Sequence, residues 1–177
     1  KVEKDGLNST SLQRHLTSIR QFMKWANEAK HLQMNPVNDF KIKRQSRPLP
    51  GMIDIETVKQ ILDQKAPEKP IEHQLWLRDK AILELLYSSG LRLAEVQGLN
   101  IRDIDFSRQL LRITGKGNKT RIVPFGSKAR ESLVEWLKVY KIWVGTFVQD
   151  SPVFISQKGN ALTPRQIENR VKFQAQR

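Results

Sequence analysis

The sequence contains no cysteine. That excludes a disulfide framework, a thiolate zinc site and a cysteine nucleophile. It has no uninterrupted apolar stretch of the roughly 18 residues a membrane-spanning helix needs, and no apolar signal core near its amino end. Histidine is scarce too: His15, His31 and His73 stand far apart at no metal-ligand spacing, and read as ordinary surface residues. Aromatic residues make up 7% of the chain, and the candidate strands carry only Phe106 and Phe125. Stacking platforms of the kind that bind single-stranded RNA therefore have little support. No internal repeat or low-complexity segment occurs. Carboxylates number 18 against 31 lysines and arginines, a net charge of +13 over 177 residues. These absences leave a soluble, cytoplasmic protein of one ordinary domain or two small ones, expected to meet a polyanion without metal, cofactor or membrane anchor.

The positive charge is unevenly placed. Residues 1–50 carry a net +6, residues 51–100 a net −2 and residues 101–177 a net +9. Between Phe106 and Arg130 there is no carboxylate at all, while Arg108, Arg112, Lys116, Lys119, Arg121, Lys128 and Arg130 fall there. Such a stretch attracts phosphates and predicts salt-sensitive nucleic-acid binding.

Periodicity then gives the elements. Residues 9–29 read as an amphipathic helix opened by a capping box of Thr10 and Gln13. Its stripe of Leu12, Leu16, Ile19, Phe22, Met23, Ala26 and Ala29 should face a core. Arg14, Thr17, Ser18, Gln21 and Lys24 form a second, acid-free face suited to phosphates or to solvent. Asn35-Pro36 closes the region, because the residue before a proline resists the helical conformation. The basic segment KIKRQSRPLP, residues 41–50, reads as a linker. A short helix from Asp54 to Gln64 should turn Ile55, Val58, Ile61 and Leu62 inward, and the segment APEKPIEH, residues 66–73, reads as a loop. A longer apolar helix, Gln74 to Ser88, carries Leu75, Ala81, Ile82, Leu85 and Leu86 and stops at Ser89-Gly90. Another short helix, Leu93 to Leu99, follows at once.

The period changes after residue 100. Three short strands are expected around Ile104 and Phe106, around Leu110 to Ile113 and around Arg121 to Val123. Asp105 to Gln109 makes one turn and Gly115 to Lys119 the next. Helix returns over 127–143 with Leu133, Trp136, Leu137 and Tyr140 on one side, then a brief extended piece at Val153 to Ile155. Thr163-Pro164-Arg165-Gln166 opens a last helix, with Thr163 as N-cap, Pro164 first in the helix and Gln166 completing a capping box. The fold class is mainly α with a small three-stranded antiparallel sheet.

Two segments carry chemistry. In SSGLRLAEVQGL, residues 88–99, Arg92 stands at the junction of two helices, where a rigidly held fork can bind two oxygens of one phosphate. Glu95, one turn on, could equally make it a structural ion pair. In the hairpin around GKGNKTRIVP, residues 115–124, two glycines permit a tight turn that carries cations at its tip. The order is wrong for a phosphate-binding loop, since this turn joins two strands.

Together these segments resemble the tyrosine recombinases of the phage-integrase family, and most closely its Xer branch. The resemblance covers essentially the whole chain. It implies that residues 1–45 are the last helices of a core-binding, DNA-binding domain, 46–52 a linker, and 53–177 the first part of an α+β catalytic domain. The implied chemistry is metal-free: a tyrosine attacks the scissile phosphate, leaving a 3′-phosphotyrosyl link and a free 5′-hydroxyl before strand exchange. Arg92 falls on the family arginine that holds the non-bridging oxygens, and Lys116 on the hairpin lysine that protonates the leaving 5′-oxygen. Arg14, Lys24, Lys43, Arg44, Lys119 and Arg121 become expected DNA contacts. The implied partners are a duplex recombination site and other recombinase subunits, a tetramer on two sites with a paired XerD-like subunit, acting in chromosome-dimer resolution at cell division.

The second arginine of a His-x-x-Arg box, a further His or Trp and the nucleophilic tyrosine belong after the helix at Thr163 and are not among these residues. Neither Tyr87 nor Tyr140 is a credible substitute; both are expected to pack in the core. The 177 residues alone are therefore expected to be inactive, and an uncovered apolar face on 75–99 and 127–143 to favour self-association or disorder at the carboxyl end. A non-catalytic DNA-binding protein with a recombinase-like fold is the alternative function, and a phage or integron integrase the alternative branch.

Overall fold

The computed structural model describes residues 9–37, 54–115, 117–146 and 148–177. The chain divides into two units, Lys1–Met52 and Ile53–Arg177, each taken by itself.

In the first unit, α1 (Ser9–Glu28) carries the expected amphipathic pattern. Its end is set by Lys30 in the left-handed region at φ 58°, with the amide of Lys30 donating to the Asn27 carbonyl and that of His31 to Ala26. The core expectation fails over most of the stripe: only Ala26 is buried, Leu12, Leu16 and Met23 are half-buried, and Ile19, Phe22 and Ala29 are exposed. One helix cannot bury its own apolar face, and among the described residues of this unit no second helix packs on it. The side chain of Thr10 and the linker cations Lys43 and Arg44 lie outside the described residues, so the capping box and those two expected DNA contacts are not placed.

The second unit is built on α3 (Pro70–Ser89) and α5 (Ser127–Val144), which pack along one another. α2 (Ile55–Leu62) precedes them, capped by the Asp54 carboxylate accepting from the Thr57 amide at 2.8 Å. Ile55 is exposed rather than inward: in a two-turn helix with one side covered, the first residue falls on the open side, and Leu62 is the buried one. The expected loop over 66–73 is also corrected, because α3 begins at Pro70. A proline at the first helical position lacks only an amide that has no helical partner there anyway.

After α4 (Leu93–Gln97), a single 3₁₀ turn leads into β1 (Ile104–Asp105), β2 (Leu110–Thr114) and β3 (Thr120–Pro124), an antiparallel sheet in that order. Leu111 and Ile113 of β2 are buried in one core that also holds Ile82, Leu85, Val96, Leu99, Leu133 and Trp136. Val153 to Ile155 thread that core as bends and one isolated bridge rather than as the extended piece expected, and the Trp136 indole N–H donates to the Val153 carbonyl at 2.8 Å. α6 (Pro164–Ala175) starts with the capping box foreseen at Thr163 and Gln166 and buries Ile167 against α3 and α4. The apolar face expected to lie open is in large part closed: Trp136, Leu133 and Leu85 are wholly buried, and the last helix is described to Ala175. Tyr140 packs as expected, edge-on to Trp136 at 5.9 Å. Tyr87 does not: at the last turn of α3 it is 56% exposed.

Candidate active site

α3 ends where Gly90 takes the left-handed conformation at φ 60°, its amide donating to the Leu86 carbonyl. Glycine adopts this without a Cβ penalty, which lets the chain turn sharply at this point. The next residues alternate: Leu91 is buried, Arg92 points out, and Val96 and Leu99 return to the core. Arg92 thus has an extended backbone (φ −76°, ψ 153°) locked between two buried anchors, while its side chain is 80% exposed.

Glu95 holds that backbone from the first turn of α4. Its carboxylate accepts the Arg92 amide at 2.9 Å and one Arg92 guanidinium nitrogen at 3.2 Å. The Glu95 side chain is only 6% exposed, and a buried carboxylate needs charged partners. It finds a second in Arg121, whose Nη1 and Nη2 donate to Oε1 and Oε2 at 2.8 and 3.0 Å, a two-pronged pair. Chiefly through the Arg121 hydrogen bonds, the Glu95 carboxyl is brought down to about 2.

Arg121 reaches Glu95 because of strand register. Ile113 pairs with Arg121 and Leu111 with Val123, so Arg121 shares the inward face of the hairpin with the buried residues of β2. Ile122 is turned outward. The hairpin narrows at its end, where the Gly115 amide donates to the Lys119 carbonyl at 2.9 Å and the Thr114 and Thr120 hydroxyls meet at 3.1 Å. Gly117 and Asn118 both have positive φ, the tight turn that glycine was read to permit. A Cβ on Gly115 would sit 3.6 Å from the Glu95 carboxylate, so the base of the turn lies against the same group that fixes Arg92. Lys116 lies outside the described residues.

The sequence stretch without carboxylates is not acid-free in space. Arg108 approaches Asp105, Arg112 donates to Asp103 at 3.0 and 3.1 Å, Lys128 reaches Asp63 and Arg121 holds Glu95. Arg14 and Lys24 are exposed on α1, Lys24 within 3.8 Å of Glu28, and Lys119 is exposed at the hairpin turn. The Arg121–Glu95 pair was not foreseen. Its partners are 26 residues apart, and the available signal was the alternation of Arg121, Val123 and Phe125 on one side of a strand. Among the described residues no group of three His, Cys, Asp or Glu side chains could hold a metal ion, and no helix is long and apolar enough to cross a membrane.

Comparison with known proteins adds the lineage. The phage integrase family matches residues 52–177. The tyrosine recombinase XerC of Pseudomonas syringae pv. syringae (strain B728a) is 42% identical over 172 residues, 97% of this chain and 55% of that protein. XerC of Haemophilus influenzae (strain ATCC 51907 / DSM 11121 / KW20 / Rd) is 40% identical over 170 residues, 96% and 55% of the two chains. The chain therefore spans about half the length of the curated relatives it matches. Among solved structures, the Tn1549 transposon integrase bound to circular intermediate DNA aligns with a TM-score of 0.68 at 18% identity, over 97% of this chain and 60% of that one. The XerA recombinase aligns at 0.58 and 19%, over 98% and 56%. These two likenesses speak for the fold, and the family match with the XerC identities speaks for descent: the chain belongs to the phage integrase family.

Proposed function

We propose that the protein to which this chain belongs is a site-specific DNA recombinase that cuts and rejoins duplex DNA through a 3′-phosphotyrosyl intermediate. The observation that carries the reading is Arg92: its backbone is locked between buried residues and hydrogen-bonded by Glu95, while its guanidinium stands in solvent. A preorganised cation of this kind suits the negative charge that builds on the non-bridging oxygens as a tyrosine oxygen bonds to phosphorus. As the bond from phosphorus to the 5′-oxygen breaks, that oxygen needs a proton. Lys116 is the proposed donor, since a lysine can give up a proton at neutral pH and an arginine cannot. The attacking tyrosine comes from outside these 177 residues.

Arg14, Lys24, Lys43, Arg44 and Lys119 are proposed to contact DNA phosphates, which position a duplex without reading its sequence. Residues 1–45 would serve as the end of a core-binding domain, 46–52 as a linker and 53–177 as the first part of the catalytic domain. The identity to XerC supports the Xer branch; action on chromosome dimers at cell division, in the cytoplasm, as a tetramer with a XerD-like subunit, is proposed with it.

The test uses the full-length protein on a nicked duplex suicide substrate, read on a denaturing gel. A covalent protein–DNA band is expected. Lys116→Ala should weaken it strongly, and a 5′-thiol leaving group, which departs without protonation, should restore it. A full-length protein that binds duplexes in a salt-dependent way and never forms the band would instead be a non-catalytic DNA-binding protein.

A further inference from the structure

Glu95 is close enough to Arg92 to take its guanidinium into a two-pronged pair, yet it holds only one arm of it. The two are joined by one side-chain hydrogen bond of 3.2 Å, and the Arg92 fork remains in solvent. The shorter bonds from Glu95, at 2.8 and 3.0 Å, go to Arg121, and they use both oxygens. A buried carboxylate with no Arg121 beside it would draw the nearest cation into a two-pronged pair, and the nearest cation is Arg92.

We infer that Arg121 is a positioning residue: by occupying Glu95 it keeps the guanidinium of Arg92 open for a phosphate, and it makes no phosphate contact of its own. The inference rests on the recombinase reading and adds a second task for the hairpin. β3 supplies the counter-charge that stops the Glu95 side chain from capturing Arg92. Glu95 meanwhile goes on accepting the Arg92 amide, so the backbone stays fixed while the fork, held by one bond, stays 80% exposed. One carboxylate thereby both places Arg92 and would quench it, and the outcome is decided 26 residues downstream.

The experiment compares full-length wild type with Arg121→Ala, Arg121→Lys and the double variant Arg121→Ala/Glu95→Gln. Covalent complex formation is read on the nicked suicide duplex, alongside duplex affinity across a salt series and a thermal melt. Arg121→Ala should lose about 100-fold in complex formation, the scale of a displaced reacting group, with affinity and salt slope unchanged. A neutral glutamine can still accept the Arg92 amide and holds no cation, so the double variant should regain most of that loss. Arg121→Lys keeps one charge on Glu95 and should fall between wild type and Arg121→Ala. Should Arg121→Ala fail to melt cooperatively, Arg121→Lys with and without Glu95→Gln carries the same comparison. A double variant no better than the single one would overturn the inference and leave Arg121 as a structural tie. A weakened affinity with a salt slope lower by about one would make it a phosphate contact instead. No complex from wild type itself would sink the recombinase reading, and this inference with it.

Discussion

Two carboxylates in this protein each gather a pair of arginines, and they do opposite things with them. Asp79, wholly buried on α3, accepts from Arg78 at 2.9 and 3.1 Å, from Arg170 of α6 at 2.7 Å and from the Gln174 amide at 3.1 Å. Arg78 is buried as well, and its remaining arm donates to the Ile155 carbonyl. Every charged group there is used up in joining α3, α6 and the core segment at residues 153–155. Glu95 is nearly as buried, but of its two arginines one is tied down and the other is left standing in solvent. The difference teaches how to tell a fastening from a candidate site. Both clusters consist of buried charge answered by opposite charge, and only the second leaves a guanidinium held by a single bond and 80% exposed.

That contrast breaks most easily at Asp79. Asp79→Ala would leave the Arg78 guanidinium buried without its counter-ion, and unfolding free energy in urea should fall by about 3–5 kcal/mol. A loss of under about 1 kcal/mol would mean that the buried cluster fastens little. Arg92→Ala is the converse. Its guanidinium is exposed, so stability should stay within about 0.5 kcal/mol. Covalent complex formation by the full-length protein should nevertheless drop about 10²- to 10³-fold with duplex affinity retained. Equal losses of stability in both variants would erase the distinction.

A pH series sharpens it further. Arg121 holds the Glu95 carboxyl at about 2, below its ordinary 4.5. A lowered carboxylate value means that the associated stability is fully present above pH 4.5 and is lost as the pH falls through that window toward 2. Wild type should therefore lose its advantage over Glu95→Gln between those limits, as urea midpoints at successive pH values would show. The smallest effect belongs to the exposed pair of Lys128 and Asp63, 3.5 Å apart. Lys128→Ala should shift stability by no more than about 1 kcal/mol, and less in high salt.

The parts of this fold that the sequence announces are those decided within one turn of a helix or one turn of chain. Thr163, Pro164 and Gln166 cap α6 as read, Gly90 ends α3, and the hairpin at Gly115 to Lys119 stands where glycine allowed it. Pro70 was misread because a proline amid lysine and glutamate suggests a loop, although the same residue opens a helix well. Ile55, Phe22 and Tyr87 went wrong for another reason. An apolar side chain is buried only if something lies over it, and periodicity names a face without naming its cover. Charge was the least legible. The carboxylates that answer Arg108, Arg112, Arg121 and Lys128 all lie before residue 106 in the chain, so a stretch that reads as unopposed cation is largely neutralised once folded. Arg92 stands out in the sequence because its neighbours form a local motif, whereas the Arg121–Glu95 pair does not, because its partners lie 26 residues apart.

The burial of Trp136 gives the molecule an internal optical gauge. Its indole is sealed from water, bonded to a carbonyl and flanked edge-on by Tyr140 and Trp143 at 5.9 and 5.2 Å. An indole in such surroundings emits at shorter wavelength than one in solvent, so the light of the second unit, to which Trp76 and Trp143 also contribute, should shift to the red when that unit unfolds. Residues 1–52 contain a single tryptophan, Trp25, and it is exposed. A ring this exposed should emit as a wetted one, and should move to the blue when something comes to rest on α1. Colour alone can thus separate loss of structure in one half of the chain from the arrival of a ligand at the other.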